Sequence, residues 1–499
     1  MNKALTLALV LVFLTTSSII LPLPVKATSK TIIVPDDFPT IASAIENATD
    51  GDKIFVKSGT YTENAINTNK SLSIIGESYQ STIINFETSG YEVDVSLYEK
   101  YYFYTPALLV TANNFAISGL TINSNGGEIS FNGKSTQVTA NNIGTTFDMT
   151  GSYLVVKGNI FSKLGISANY SRISSNVITS GVYLGGQYNI FSSNSITNSA
   201  PSIETDNCLI YGNNIYNASG AIFPLTGNDN IVSHNTIDHL ATGLWVRGSN
   251  NTVMLNQITH CGVALLPTPN NTYYANHFAN NLWGVDTVGS QLNPYGNASS
   301  FFDNNMINNV YQVTTLFDSK ADNFDNGEKG NYWSDYHGID ANGDGIGDTP
   351  YIIDSNCSDR YPLISPFNLS NVSDLMPEWA LPLSIEFINP TNTTYLNRNV
   401  TLNFFIGKQP LWIGYSLDGL SNTTTTGNVT LTNLPSGVHN ITVYANDTFG
   451  IFGVSKTIVF TIAVPELFPV VPVTAVSVAA FALAVAGLLV YHKRKIKQS

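Results

Sequence analysis

The chain has 499 residues, too many for one ordinary globular domain, so two or three are expected. Its 22 Lys and Arg stand against 35 Asp and Glu, a formal charge of −13, which argues against nucleic acid as a partner because phosphate binding needs clustered cations. Three cysteines, Cys208, Cys261 and Cys357, exclude a disulfide scaffold and any four-cysteine metal site.

Residues 1–27 read as a signal peptide. Lys3 is the positive start, Ala4 to Leu14 the apolar run, and Val25-Lys26-Ala27 the small-residue cleavage site. Beyond it Ile41, Ala44, Ile45 and Ala48 have helical spacing, with Thr40 as N-cap. A short helix is therefore expected, covering the first coil of a repeat region. Asp50-Gly51-Asp52 then turns into the strand KIFV.

Between Val156 and Ile307 one phrase recurs: apolar, two residues, Asn, one residue, apolar. It reads VKGNIF at Asn159, ISSNVI at Asn176, FSSNSI at Asn194 and IYGNNI at Asn213. It continues as VSHNTI at Asn235, VMLNQI at Asn256, YYANHF at Asn276 and FDNNMI at Asn305. The gaps average about 21 residues. Four residues after each marker, from Asn176 on, come Ser180, Asn198, Asn217, His239, His260, Asn280 and Asn309. Glycines 165, 181, 220, 243, 262 and 284 open a further strand.

Apolar residues alternate within each unit, the period of a strand rather than a helix. A 21-residue coil of short strands cannot bury its own inner face, so the coils must stack about 4.8 Å apart. Like residues then form ladders, and Asn suits a bend because it tolerates left-handed dihedrals and its amide finds a partner above and below. The prediction is all-β: a right-handed parallel β-helix over residues 31–316 with an N-terminal helical cap, about twelve coils long.

The segment IVPDDFPTIASAIENATDGDKIFVKSGTYTEN, followed by SLSIIGESYQSTII, resembles the opening of pectin-lyase-like β-helices. The NxIxxN repeats with a following Gly and apolar residue resemble the carbohydrate-binding/sugar-hydrolase (CASH) repeats of NosD-type periplasmic β-helix proteins. The likeness spans about residues 31 to 365 and implies the fold more than an activity.

Residues 317–365 are expected to form a C-terminal cap. Within it Asp340, Asn342, Asp344 and Asp348, with the carbonyl of Ile346, match the alternate-oxygen spacing of a calcium loop, Gly345 permitting the sharp turn. The twelfth position is Tyr351 where a bidentate acid is expected, and Asp354 is the candidate substitute. Calcium there would be structural. The surrounding GNYWSDYHGIDANGDGIGDTPYIID resembles the closing segment after NosD-type repeats. Copper, which the resemblance brings with it, is not expected: soft sites want Cys, Met or clustered His, and 7 His and 5 Met are thinly spread. His239 and His260 share one phase, with His234 nearby, and read as His residues occupying an Asn bend column. An enzyme needs acids and bases converging on one face. Asp238, His239 and Arg247 are the best grouping, and they match no lyase, pectin-esterase or epimerase motif.

Residues 366–382 read as a linker. From 383 to 464, LSIEFI, VTLNFFI, WIGYSL, NVTLTNL, HNITVYA and KTIVFTI alternate as six or seven short strands, an immunoglobulin-like β-sandwich. WIGYSLDG and HNITVYANDTFG resemble stalk domains of archaeal-type surface proteins. Residues 467–491 carry no charge and are long enough for a transmembrane helix, and the basic tail 492–499 places that end in the cytoplasm. Sixteen Asn-x-Ser/Thr sequons suit an extracellular chain. The expected protein is a single-pass surface protein binding or displaying polysaccharide or envelope components. A carbohydrate-active lyase, hydrolase or epimerase is the alternative, and a copper-binding periplasmic-type protein a further one.

Overall fold

The computed structural model describes residues 29–96, 99–287, 298–315, 323–373, 380–381, 383–447, 452–464 and 473–496; the expected signal peptide lies outside them. The chain forms two compact units, one ending at Ala380 and the other beginning at Leu381.

The first unit is a coil of parallel strands. Thirteen short strands, from Thr31–Val34 to Ser300–Phe302, make one sheet in strict chain order. Equivalent apolar residues pile up along it: Ile117 over Val138, then Val156, Ile173, Phe191, Ile210, Val232, Val253, Tyr273 and Phe301. A second, 20-stranded sheet takes the longer strands of each coil, such as Asn142–Ser152, Val177–Gln187 and Thr236–Arg247. The interior is apolar, with Phe115, Phe131 and Phe147 meeting edge-on at 5.0–5.3 Å. One departure from the coil is an antiparallel hairpin, Gly90–Ser96 with Glu99–Tyr104.

Asparagine amides run through the bend beside this sheet, in the series Asn141, Asn159, Asn176, Asn194, Asn213, Asn235, Asn256, Asn276, Asn304 and Asn331. Each but the last donates its backbone N–H to the next Oδ1, at 2.9–3.1 Å. Each side-chain amide also donates to that same oxygen, at 2.8–3.1 Å. Its second proton goes to a backbone carbonyl of the preceding coil, as from Asn159 to Val138 at 2.8 Å. The amides of this ladder satisfy one another, which burial in an apolar core requires.

Two expectations are corrected here. In the penultimate coil the ladder residue is Asn304, not Asn305; Asn305 instead exchanges hydrogen bonds with the backbone of Phe367. The bend column four residues on is correspondingly Asn308, whose φ is 51°, while Asn309 accepts from Asn281 inside. The left-handed dihedral also falls on the residue before each marker. Ala140, Ser175, Ser193, His234, Leu255, Ala275 and Asp303 all have φ between 53° and 58°. The amide is chosen for its bonds, and its neighbour makes the turn.

The ends are closed. The helix Ile41–Asn47 buries Ile41, Ala44 and Ile45 and is capped by Thr40 through a reciprocal pair with Ser43. Buried Glu63 accepts its Ile41 N–H at 2.6 Å. At the far end the ladder stops on Asp359, fully buried, which accepts from Asn331 N at 2.7 Å, Trp333 Nε1 at 2.8 Å and Tyr361 N at 3.0 Å. Trp333 stacks on Tyr351 at 4.3 Å, and Arg360 grips Asp325 through Nε at 2.9 Å and Nη2 at 2.5 Å.

The second unit holds a three-stranded antiparallel sheet, Ile385–Asn389, Val400–Ile406 and Val429–Leu431, and a six-stranded sheet centred on Gly437–Asn446. Leu402, Leu431, Ile441, Val443, Phe460 and Ile462 form its core. Further on, Val473–Ile496 is an α-helix. Among the described residues no helix is long and apolar enough to cross a membrane, and the first six residues of the expected span, 467–472, lie outside them.

Candidate functional site

The strand Thr236–Arg247 turns at His239, whose φ is 57°. Ile237 and Leu240 point inward, so Asp238 faces out, level with Thr259 of the next coil. His260, φ 52°, repeats the bend of His239 one coil on, and the two imidazoles stack at 5.0 Å and 24°. Asp238 lies between them: its Oδ2 is 2.5 Å from His239 Nδ1 and its Oδ1 2.7 Å from His260 Nδ1. Thr259 Oγ1 donates to Oδ1 at 2.7 Å. Burial alone would raise the Asp238 pKa, but Thr259, His260 and His239 together hold it below the ordinary carboxylate value.

Arg247 does not join them. It follows the bend rather than preceding it, and its guanidinium lies 4.4 Å over the ring of Trp245. Of the predicted trio Asp238, His239 and Arg247, the fold brings together the first two and supplies His260 as their third member. His234 instead meets the Tyr211 ring at a tilt of 43°, with centroids 4.9 Å apart.

Arg247 belongs to a different outward row, the post-bend face of the same sheet. Gly185, Glu204, Thr226 and Arg247 stand level on successive coils. Beside that row, Asp148, Gly165, Tyr183 and Ser202 form a second, and Thr146, Lys163 and Gly181 a third. A Cβ on Gly165 would sit 2.0 Å from Asp148 Oδ1 and force that carboxylate to move, whereas a Cβ on Gly181 would meet the Lys163 stem at an ordinary contact distance of 3.6 Å. Burial, then the neighbouring Asp148 carboxylate, raises the Glu128 pKa, with Lys163 acting the other way. Tyr183 Oη donates to Glu204 Oε2 at 3.4 Å, and burial followed by that carboxylate raises the phenol. Sequence reasoning misses Glu128, Asp148, Lys163, Tyr183 and Glu204 as a group. The phrase VTANNI at Asn141, eighteen residues before Asn159, is the available signal that the coil already runs through Asp148.

In the cap loop, Asp340 Oδ1 accepts from Gly343 N at 2.7 Å and Oδ2 from Gly345 N at 2.9 Å; Asp344 Oδ1 accepts from Ile346 N at 2.9 Å, and Asp348 Oδ2 from Ala341 N at 2.8 Å. Asn342 bridges to Asp344 at 3.0 Å. Asp354 is engaged elsewhere, by Thr315 and by Asn356 N, and the Thr315 hydroxyl chiefly lowers its pKa. Among the described residues, the group of three metal-competent side chains with donor atoms within 4.8 Å of one another is Asp238, His239 and His260.

A family model described as "Right handed beta helix region" matches residues 162–305. The first unit is a right-handed parallel β-helix. Among solved structures, the mannuronan C-5 epimerase AlgE6 A-module of Azotobacter vinelandii aligns at 14% identity and TM-score 0.42, covering 56% of this chain and 91% of its own. A mannuronic acid-specific family 6 polysaccharide lyase from human gut microbiota aligns at 12% and 0.38, over 58% and 92%. The pectin methylesterase PemA of Erwinia chrysanthemi aligns at 12% and 0.27, over 55% and 93%. No curated protein matches the sequence.

Proposed function

We propose that the protein is a membrane-anchored extracellular β-helix that binds polysaccharide or another envelope component along the post-bend face of its long-strand sheet, as a NosD-like binding or display protein. One observation carries the reading. On consecutive coils, Lys163, Asp148, Tyr183, Glu204 and Arg247 stand on one outward face, and glycines 165, 181 and 185 leave room for the Asp148, Lys163 and Tyr183 side chains to lie along it. A hydroxyl-rich chain needs such an open row of donors, acceptors and aromatic surface. In this reading residues 1–27 direct export, the 383–464 unit is an immunoglobulin-like stalk, residues 467–491 anchor the chain, and calcium steadies the Asp340–Asp348 loop. A glycan array probed with the full chain in detergent tests it. Specific glycan binding is expected, weakened about tenfold in Tyr183→Ala and Arg247→Ala, for about 1.4 kcal/mol lost per contact. Absence of glycan binding, or binding indifferent to both changes, refutes it.

The enzyme reading has its own observation: Glu128, its pKa raised by burial and by the neighbouring Asp148 carboxylate, stands near Asp148 and Lys163, so two carboxyl groups and a cation share one face. Release of reducing or unsaturated ends from a polysaccharide panel, lost in Glu128→Gln, would favour it over binding alone.

A further inference from the structure

From Asn198 on, the bend column that carries His239 and His260 is otherwise asparagine: Asn198, Asn217, Asn280 and Asn308, all with φ between 51° and 58°. A left-handed bend explains Asn there. It does not explain two imidazoles on adjacent coils, nor why the carboxylate that meets both stands in the row where Tyr216 and Thr259 flank it. Parallel registry fixes the group. Thr236, Ile237 and Asp238 stand level with Gln257, Ile258 and Thr259, so His239 and His260 leave equivalent backbones.

We propose that Asp238, His239 and His260 bind a divalent cation of the zinc class. The donor set is two imidazole nitrogens and one carboxylate oxygen, the chemistry zinc takes, and three protein donors leave a fourth position open to solvent. Tetrahedral zinc with bonds of about 2.0–2.2 Å sets its donors about 3.3 Å apart. Here one donor from each residue lies within 4.8 Å of the others, and Asp238 already contacts both Nδ1 atoms. Small rotations complete the set, and the side chains are free to make them, His239 being 60% exposed and His260 50%. Thr259 Oγ1 holds Asp238 from behind, a bond that orients the ligating carboxylate. Ligation through Nδ1 takes each neutral imidazole in its Nε2–H tautomer, which keeps the single ring proton on the far nitrogen.

The test is titration of the untagged full chain, in detergent and free of chelator, with Zn²⁺ by calorimetry and with Co²⁺ by visible absorption. One high-affinity Zn²⁺ per chain and Co²⁺ bands of a nitrogen-ligated site are expected. His239→Asn and His260→Asn place the column's own residue at each bend and preserve the coil. Each removes a ligand outright and should weaken Zn²⁺ by more than the roughly 10–100-fold typical of losing a residue that only orients one. No stoichiometric Zn²⁺ binding by the wild type, affinity unchanged in His239→Asn, or a Co²⁺ spectrum indistinguishable from the hydrated ion overturns the proposal.

Discussion

Asn235→Ala removes one rung from the middle of the principal ladder. The Asn235 amide oxygen accepts from Asn213 N and from Asn213 Nδ2, both at 2.9 Å, and its nitrogen donates to Asn256 Oδ1 and to the Ile210 carbonyl, both at 2.9 Å. After truncation the buried N–H of Asn213 has lost its acceptor, which costs roughly 1–3 kcal/mol, and each of the two donated bonds adds about 1 kcal/mol. The expected total is about 3–5 kcal/mol. A solenoid unfolds locally, so a global midpoint is the wrong observable. Hydrogen exchange followed by mass spectrometry is the right one: amides in residues 205–260 should exchange roughly two to three and a half orders of magnitude faster, at about 1.4 kcal/mol per decade. Asn217→Gly is the control, since Asn217 is exposed and glycine adopts its φ of 58° freely. If Asn235→Ala exchanges within about threefold of wild type, or no faster than that control, the ladder does not hold the coils together.

Asp359 gives a pH dependence of known sign. Burial pushes its pKa up to about 6, against 3.8 ordinarily, so the folded state holds the proton more tightly than the unfolded one. The group's contribution is therefore full below about pH 4 and lost as pH rises through 6, about 3 kcal/mol in all at 1.36 kcal/mol per unit. The difference in Tm between wild type and Asp359→Asn should shift toward the variant between about pH 4 and pH 7.5; a pH-independent difference contradicts the assignment. If calcium fills the cap loop, Ca²⁺ at about 100 times its Kd should add about 2.7 kcal/mol and raise Tm, an effect that EDTA reverses. Asp340→Asn should abolish the shift, and an unchanged Tm in the wild type would rule calcium out.

The coil is legible because a solenoid writes its geometry along one dimension. VSHNTI and VMLNQI, 21 residues apart, become Asn235 and Asn256 in contact. Register fails where two asparagines adjoin: Asn304 and Asn305 both fit the phrase by eye, and only Met306 turning inward decides between them. The helix Ile41–Asn47 is legible from its own spacing and cap. The post-bend face is not, because nothing local links Glu128, Asp148 and Lys163. They are far apart in the chain and meet only once each coil's outward parity is known. Arg247 groups with Asp238 in the sequence for the same reason: they are close along the strand, and the left-handed bend at His239 sends them to different faces.

In a repeat, the informative residues are those that break the pattern without weakening the stack. Inward positions here tolerate little: the core column stays apolar and each ladder amide depends on the next. The bend column tolerates any residue that accepts a left-handed turn, and Tyr153, Tyr170 and Tyr188 show that bulk is allowed at another bend, stacked at 5.2–5.6 Å. Structure alone therefore leaves such positions nearly free. A free position filled twice in succession by histidine, with the facing row supplying aspartate at the one level where it reaches both, is a coincidence that coil stability does not require. The same logic separates Glu128, Asp148 and Lys163 from the neutral Thr150 and Ser167 beside them, which serve the coil equally well. Chemistry on this protein should accordingly map to these two groups, and substitutions at His239, His260, Glu128 or Lys163 should change binding while leaving the exchange rates of the ladder amides untouched.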